Sequence, residues 1–238
     1  MTKPSENWTV RPHGELTQLA ANLFTVEGML DMPPLGQTPR RMTVIVLSGR
    51  RLAIYSAISL GDPEMLAIEA LGDPTYLIVP SALHRMDAKT WKARYPTLIV
   101  LAPSGAREKV DKVVHVDATE VDFGDPAVQL STVPGTADRE FSLIVETTTG
   151  KTLIINDLVF NLRQQGGFVG WIMHHLGVGA ERPRIAKPVA MKLIDDRRAV
   201  RTQLEAWAQA DLERILVAHG APIDNPRATL LDLASGLT

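Results

Sequence analysis

The sequence predicts an α/β chain, of the α+β kind, folded as a four-layer αββα sandwich. Three observations predict it. Short runs rich in Val, Ile and Leu recur along the chain. Helix-like segments separate several of them, as in two βαβ-like units within residues 52–101. A hairpin stands at residues 141–157, which a purely parallel doubly wound sheet does not accommodate.

The elements follow in order. Residues 1–22 are polar, carry Pro4, Pro12 and Gly14, and read as an irregular arm ahead of a single domain over 23–238. LFTVEG at 23–28 reads as a first strand, and residues 31–41 (DMPPLGQTPRR) as a loop by their Pro, Gly and Thr content. MTVIVL at 42–47 and LAIY at 52–55 flank a turn. Asp62 and Pro63 suit a helix start, and Gly72 closes that helix. YLIV at 76–79 runs into Pro80-Ser81-Ala82-Leu83-His84, a helix follows over 88–94, and LIVL at 98–101 is the next strand. Beyond a short helix at 103–110, strands are expected at 113–116 and 128–133, then the hairpin with its turn at 147–150. Residues 168–176 (FVGWIMHHL) suggest an apolar helix. Residues 189–210 read as helical, with Val200, Leu204 and Trp207 on one face. ILVA at 215–218 is the last strand and ends at His219-Gly220, and a helix capped by Asn225 closes the chain.

Composition narrows the function. The chain has 238 residues, 45% of them hydrophobic and 22% charged, enough for a real core. A net charge of −2 and an aromatic share of 5% argue against a nucleic-acid surface or an anionic membrane as partner. There is no cysteine, so no disulfide and no thiolate metal site. No apolar signal core opens the chain and no run is long enough to span a membrane, so a soluble, cytoplasmic protein is expected. The nucleotide and nucleophile-elbow motifs GxGxxG, GxxxxGK(S/T) and GxSxG are missing.

The stretch around Asp157 organises the rest. LIINDLVFN at 153–161 places one carboxylate inside an apolar run. Burying an unpaired carboxylate is costly, so Asp157 must end a strand, be neutralised or hold a partner. His84 follows one apolar strand and His219 another. Two imidazoles and a carboxylate make a workable metal site with open positions, or equally a hydrogen-bonded His–Asp–His relay. Adjacent His174 and His175 point about 100° apart on a helix and so rarely share one metal. His115 reads as a strand-face residue, His13 as solvated and Asp87 as a helix cap. Asp195-Asp196-Arg197-Arg198 reads as a solvated helix face. Ser81 lies three residues before His84, a spacing that seldom aligns a hydroxyl with its base.

These residues resemble the metallo-β-lactamase fold superfamily across most of residues 22–223. TLIINDLVF is similar to the strand that ends in that family's metal-bridging aspartate, and ILVAHGAPI to the strand before its last metal-binding histidine. IVPSALH resembles an uncharacterised branch that carries Pro, Asn or Ser, and a histidine after the second βα unit. The superfamily's HxHxDH signature is replaced here by PSALHRMD, and its later GHTPG-like turn by VPGT. The resemblance therefore implies the αββα fold and a degenerate metal site. Asp157 and His219 carry over as metal ligands, with His84 as a third ligand or a general base. Two functions follow as expectations. One is a protein without metal chemistry that binds a small molecule at the remnant site, which the replaced ligands favour slightly. The other is a mononuclear hydrolase of esters or amides that uses one Zn or Fe ion. A homodimer through residues 168–176 is a further expectation.

Overall fold

In a computed structural model of the chain, which describes residues 8–32, 36–162 and 182–237, two β-sheets lie face to face. The six-stranded sheet takes its strands in chain order: β1 (Thr17–Ala20), β2 (Leu23–Met32), β3 (Gly36–Val46), β4 (Arg51–Tyr55), β5 (Asp73–Ile78) and β6 (Ile99–Leu101). Pairing is antiparallel as far as β4 and parallel from β4 to β6. The four-stranded sheet has the order β10 (Leu212–Gly220), β9 (Gly150–Asn161), β8 (Phe141–Thr147), β7 (Val128–Thr132). In it β10 and β9 are parallel and the other pairs antiparallel.

Strand alternation sets the layers. Leu52 and Ile54 of β4, with Leu77 of β5, face one way, onto Met65 and Ile68 of helix α1 (Asp62–Leu71), Trp91 of α2 (Ala88–Arg94) and Val110 of α3 (Arg107–Asp111). Ala53, Tyr55, Tyr76 and Ile78 face the other way and meet Phe141, Leu143, Ile154 and Leu216 of the second sheet. On the far side of that sheet, Leu153, Ile155, Ile215 and Val217 pack on three helices: α4 (Lys187–Leu193), α5 (Arg197–Ala208) and α6 (Pro226–Ser235). Three apolar clusters thus separate four layers, the αββα order that the sequence predicts.

Trp91 anchors the outer layer. It is fully buried, donates Nε1–H to the Ile58 carbonyl at 3.0 Å and packs beside Trp8 and Tyr95. Trp91→Ala is expected to cost about 3–5 kcal/mol in a denaturant titration; a loss under about 1 kcal/mol would mean that this layer is not structural.

Several segments differ from the sequence reading, each for a physical reason. Residues 36–41 are not a loop but the first half of β3, and residues 31–32 belong to β2, paired Asp31 with Gln37 and Glu27 with Arg41. Pro39 is tolerated because β3 pairs with β4 only from Thr43 onward, so the strand has one open edge at the proline. Within the arm, Thr17–Ala20 form β1 against β2. Residues 113–116 form no strand: Asp111 accepts the Val116 N–H and Arg107 donates to the Val116 carbonyl, closing a loop that buries Val114 and Val116. The helical stretch at 189–210 is two helices. Asp196 separates them, accepting the N–H groups of Arg198 and Ala199 as an N-cap, while residues 195–198 are exposed as the sequence reading expects. Asn225 precedes α6 without a side-chain cap bond. The expected apolar helix at 168–176, with His174 and His175, lies outside the described residues.

Candidate metal centre

The carboxyl ends of parallel strands from both sheets meet at one edge, where ligands commonly bind in open α/β sheets. Tyr55 and Ile78 are paired at the ends of β4 and β5, so Ser56 and the segment Ser81–His84 leave the sheet side by side. From the second sheet β9 brings Asp157 and β10 brings His219.

Asp157 is not at the end of its strand. It sits in a wide bulge inside β9. Ile155 pairs with Val217 and Phe160 with His219, so residues 156–159 stand opposite Ala218 alone. A second carboxylate holds the bulge open. Glu140, fully buried, accepts the N–H groups of Asn156 and Leu158 on Oε1 at 3.0 and 3.1 Å. Its Oε2 accepts the Asp157 N–H at 3.1 Å. Backbone groups that the bulge takes out of the ladder are thereby satisfied.

The side chains converge tightly. Asp157 Oδ1 lies 3.1 Å from His84 Nε2 and 3.5 Å from His219 Nε2, and Oδ2 accepts the Ser81 hydroxyl at 2.7 Å. The outer nitrogens are held as well. His219 Nδ1 is 2.8 Å from the Pro39 carbonyl, and His84 Nδ1 is 2.8 Å from Ser56 Oγ. Phe160 stacks on the His219 ring at 5.0 Å between centroids. Gly220 makes the turn behind His219: its φ is +113°, and a Cβ there would lie 2.0 Å from the Asn161 carbonyl oxygen.

Burial pushes the Asp157 carboxyl up, but the charges and hydrogen bonds of His84 and His219 outweigh it and hold the group well below the usual carboxylate range. Glu140 goes the other way. Burial, then the charge of Asp157, push it up to about 8 against the pull of its three N–H donors.

Arg41 ties the two sheets beneath the site. Its guanidinium donates to the carbonyls of Val217 and Gly220 at 3.3 and 2.8 Å, to Thr25 Oγ1 and to Glu27. Arg41→Met is expected to cost about 2–3 kcal/mol, the scale for bonds donated by a charged group. Equilibrium unfolding checks it, and an unchanged midpoint would remove the clamp from the account.

The three side chains form the floor of a cavity of about 610 Å³. Its walls include Leu30, Leu83, Met86, Phe160, Leu162 and Val189. A larger cleft of about 750 Å³, lined by Glu120, Asp122 and Asp138 among others, carries no imidazole.

The structure brings together the three residues singled out from the sequence: His84, Asp157 and His219. Ser81 does not pair with His84, in line with their spacing; its hydroxyl bonds Asp157. Arg85, the neighbour of His84 in the chain, donates to the Lys109 carbonyl. Three expectations are corrected. Asp87 makes no side-chain cap bond; it accepts from Arg40 at 2.5 Å and from Ser59 at 2.9 Å, in a buried cluster beside the cavity. His115 is exposed on a loop beside Asp111. His13 is half-buried and accepts the Gly61 N–H. Sequence reasoning missed Glu140 and Ser56. A charged residue directly before the apolar FSLIV run is a faint signal for the first, and Ser56 carries none.

No model of a known protein family matches the sequence, and no curated protein matches it. Solved structures do resemble the fold. The metallo-β-lactamase FIM-1 from Pseudomonas aeruginosa, in its mono-zinc form, is 12% identical, with 95% of this chain and 96% of that one covered at a TM-score of 0.63. The metallo-β-lactamase DIM-1, exposed to ceftazidime, is 13% identical over 97% and 100% of the two chains, also at 0.63. A metallo-β-lactamase from Erythrobacter litoralis is 13% identical over 93% and 96%, at 0.59. Two facing sheets, their helices outside and the coverage of nearly the whole chain agree: this chain has the metallo-β-lactamase fold.

Proposed function

We propose that the chain holds one divalent metal ion, Zn or Fe, at His84, Asp157 and His219, and hydrolyses an ester or amide in the cavity above it. One observation carries this reading. A carbonyl oxygen can only accept, so His219 Nδ1 must be the protonated nitrogen facing Pro39. In the neutral ring, Nε2 then presents a lone pair to a carboxylate oxygen at 3.5 Å. That contact is repulsive unless a cation lies between them, either a proton or a metal ion.

The donor set suits a metal ion. Two imidazoles and one carboxylate are the set of many mononuclear zinc and iron sites. Their ligand atoms all lie within 4.8 Å of one another, and this is the one such group among the described residues. Each imidazole has an outer oxygen partner on Nδ1, and Ser81 fixes the far oxygen of Asp157, the support that metal ligands commonly receive. A similar structure described as a mono-zinc form supports a single ion on this fold. Such an ion supplies Lewis acidity and an acidified water. The chain's own part is orientation and exclusion. Phe160 fixes the plane of His219, Ser81 keeps Oδ1 turned inward, and the aliphatic walls seat an apolar acyl group while displacing water.

Elemental analysis of protein purified without chelator is expected to find about one Zn or Fe per chain, from the stoichiometry of a single three-ligand site. Protein free of transition metal, with no affinity for added zinc, would end this reading. Bound zinc without turnover of any p-nitrophenyl ester or anilide would leave a ligand-binding protein.

A further inference from the structure

We propose that Arg40 anchors a carboxylate on the acyl part of the substrate, so that the preferred esters or amides are those of a dicarboxylic acid. The substrate class rests on the hydrolytic reading above; the anchor belongs to the cavity wall and needs no metal ion.

Arg40 lies on β3, and strand alternation puts it on the same face as Thr38. Both line the cavity above His84, Asp157 and His219. The backbone ties Arg40 to the metal site, because the residue before it, Pro39, gives the carbonyl that holds His219 Nδ1. The Arg40 side chain is more than nine-tenths buried, with 8% exposed.

Its guanidinium is only partly used. Nη1 donates to Asp87 Oδ2 at 2.5 Å, while Nε and Nη2 have no acceptor among the described residues. Those two nitrogens form one edge of the guanidinium, a parallel fork that matches both oxygens of a carboxylate. Buried donors are rarely left unpaired, since each then bears its full desolvation penalty. The neighbouring Arg41 shows the same edge filled: its Nε and Nη2 donate to the carbonyls of Val217 and Gly220. Arg94, also buried, gives Nε to Tyr95 and Nη2 to Glu69. Of the three buried arginines among the described residues, Arg40 alone keeps this edge empty.

Charge and shape select the guest. Arg11 lies 4.0 Å from Asp87, so two cations, Arg11 and Arg40, stand against one carboxylate in this cluster. A single added carboxylate restores the balance. A phosphate dianion overshoots it and brings further oxygens that a single fork leaves unpaired. The rest of the wall suits a chain of methylenes. Leu83 and Met86 line the same cavity and are 74% and 46% exposed, large apolar side chains left open for a guest to cover.

The test is isothermal titration calorimetry of EDTA-treated full-length protein with monomethyl adipate and with dimethyl adipate, which differ by one charge. The monoester is expected to bind about 10- to 100-fold more tightly, the range for hydrogen bonds to a charged group. Arg40→Lys keeps a cation beside Asp87 but removes the fork, and should bring the two ligands level. Should Arg40→Lys not fold, wild-type protein gives the second measurement: the Arg40 Nε–H signal in a proton–nitrogen NMR spectrum should move with the monoester and stay in place with the diester. Equal affinity of the wild-type protein for both ligands overturns the proposal and leaves water as the partner of the fork. A preference that survives Arg40→Lys overturns it too, as does one that vanishes in Lys192→Ala instead, since the anion then sits on an exposed lysine of the cavity wall. Zinc-loaded protein is assayed separately with mono-p-nitrophenyl adipate against p-nitrophenyl hexanoate. Preferential binding without turnover of either ester would end the hydrolytic reading and keep the anchor.

Discussion

Glu140→Ala is expected to destabilise the fold by about 3–5 kcal/mol, since each orphaned buried donor costs about 1–3 kcal/mol. Glu140 is the sole side-chain acceptor that the described residues offer to three consecutive N–H groups in the β9 bulge. Without it those groups face an apolar interior, and the bulge has nothing to hold it open. Glu140→Gln separates charge from shape. Its amide oxygen can keep the bonds to Asn156 and Leu158, while its NH₂ meets the Asp157 N–H head-on, at a cost of about 1–3 kcal/mol. Denaturant unfolding of metal-free protein measures both, and an alanine variant within about 1 kcal/mol of wild type would show that water replaces the carboxylate without loss.

The same residue sets a dependence on pH. Its carboxyl is raised from an ordinary 4.5 to about 8 in the folded chain. The stability it contributes is therefore complete below its unfolded value and is lost as pH rises through about 8. Asp157, held low, acts in the opposite sense: its contribution is present above the ordinary 3.8 and is lost only in acid. Metal-free protein should thus lose thermal stability between pH 5 and 9, with Glu140→Gln flattening that decline, both read from melting temperatures across about that range. An equal slope in the two proteins would sink the assignment to Glu140.

What the sequence shows is unevenly spread, and the reason is periodicity. The runs at 52–55, 76–79 and 215–218 alternate between two apolar layers and read as strands. The hairpin around Gly150 excludes a parallel sheet, so the four layers were legible. The bulge was not. The run at 153–161 looks like a regular strand, because two of the four residues that leave the ladder, Leu158 and Val159, are as apolar as those that stay, and only Asn156 and Asp157 interrupt them. Asp157 stood out because a lone carboxylate in that string needs a partner. Glu140 did not, since its partners are backbone groups and backbone groups have no letter. Pro39 misled for a related reason: a proline signals a loop unless the strand has an open edge, and edges are set by pairing far along the chain. Ser56 was invisible because its distinction is a backbone angle.

Among substitutions at the site, Asp157→Ala should have the largest effect on metal binding. A zinc affinity lower by about 1000-fold or more is expected, because outer partners alone commonly account for about 10–100-fold. Asp157 Oδ1 is the atom both imidazoles face, and without it two neutral rings remain with no anion to balance a dication. Ser81→Ala removes only the hydroxyl on Oδ2 and should fall in the 10–100-fold range, since it frees the carboxylate to rotate without deleting it. Competition against a fluorescent zinc chelator ranks the two variants against wild type, with circular dichroism confirming that each is folded. The order matters more than either value. If Ser81→Ala were as damaging as Asp157→Ala, the carboxylate would be acting through the fold and not through direct contact with an ion. If Asp157→Ala changed zinc affinity by less than about tenfold, the lone pair on His219 would have to face a proton, and the site would be a hydrogen-bonded relay rather than a metal centre.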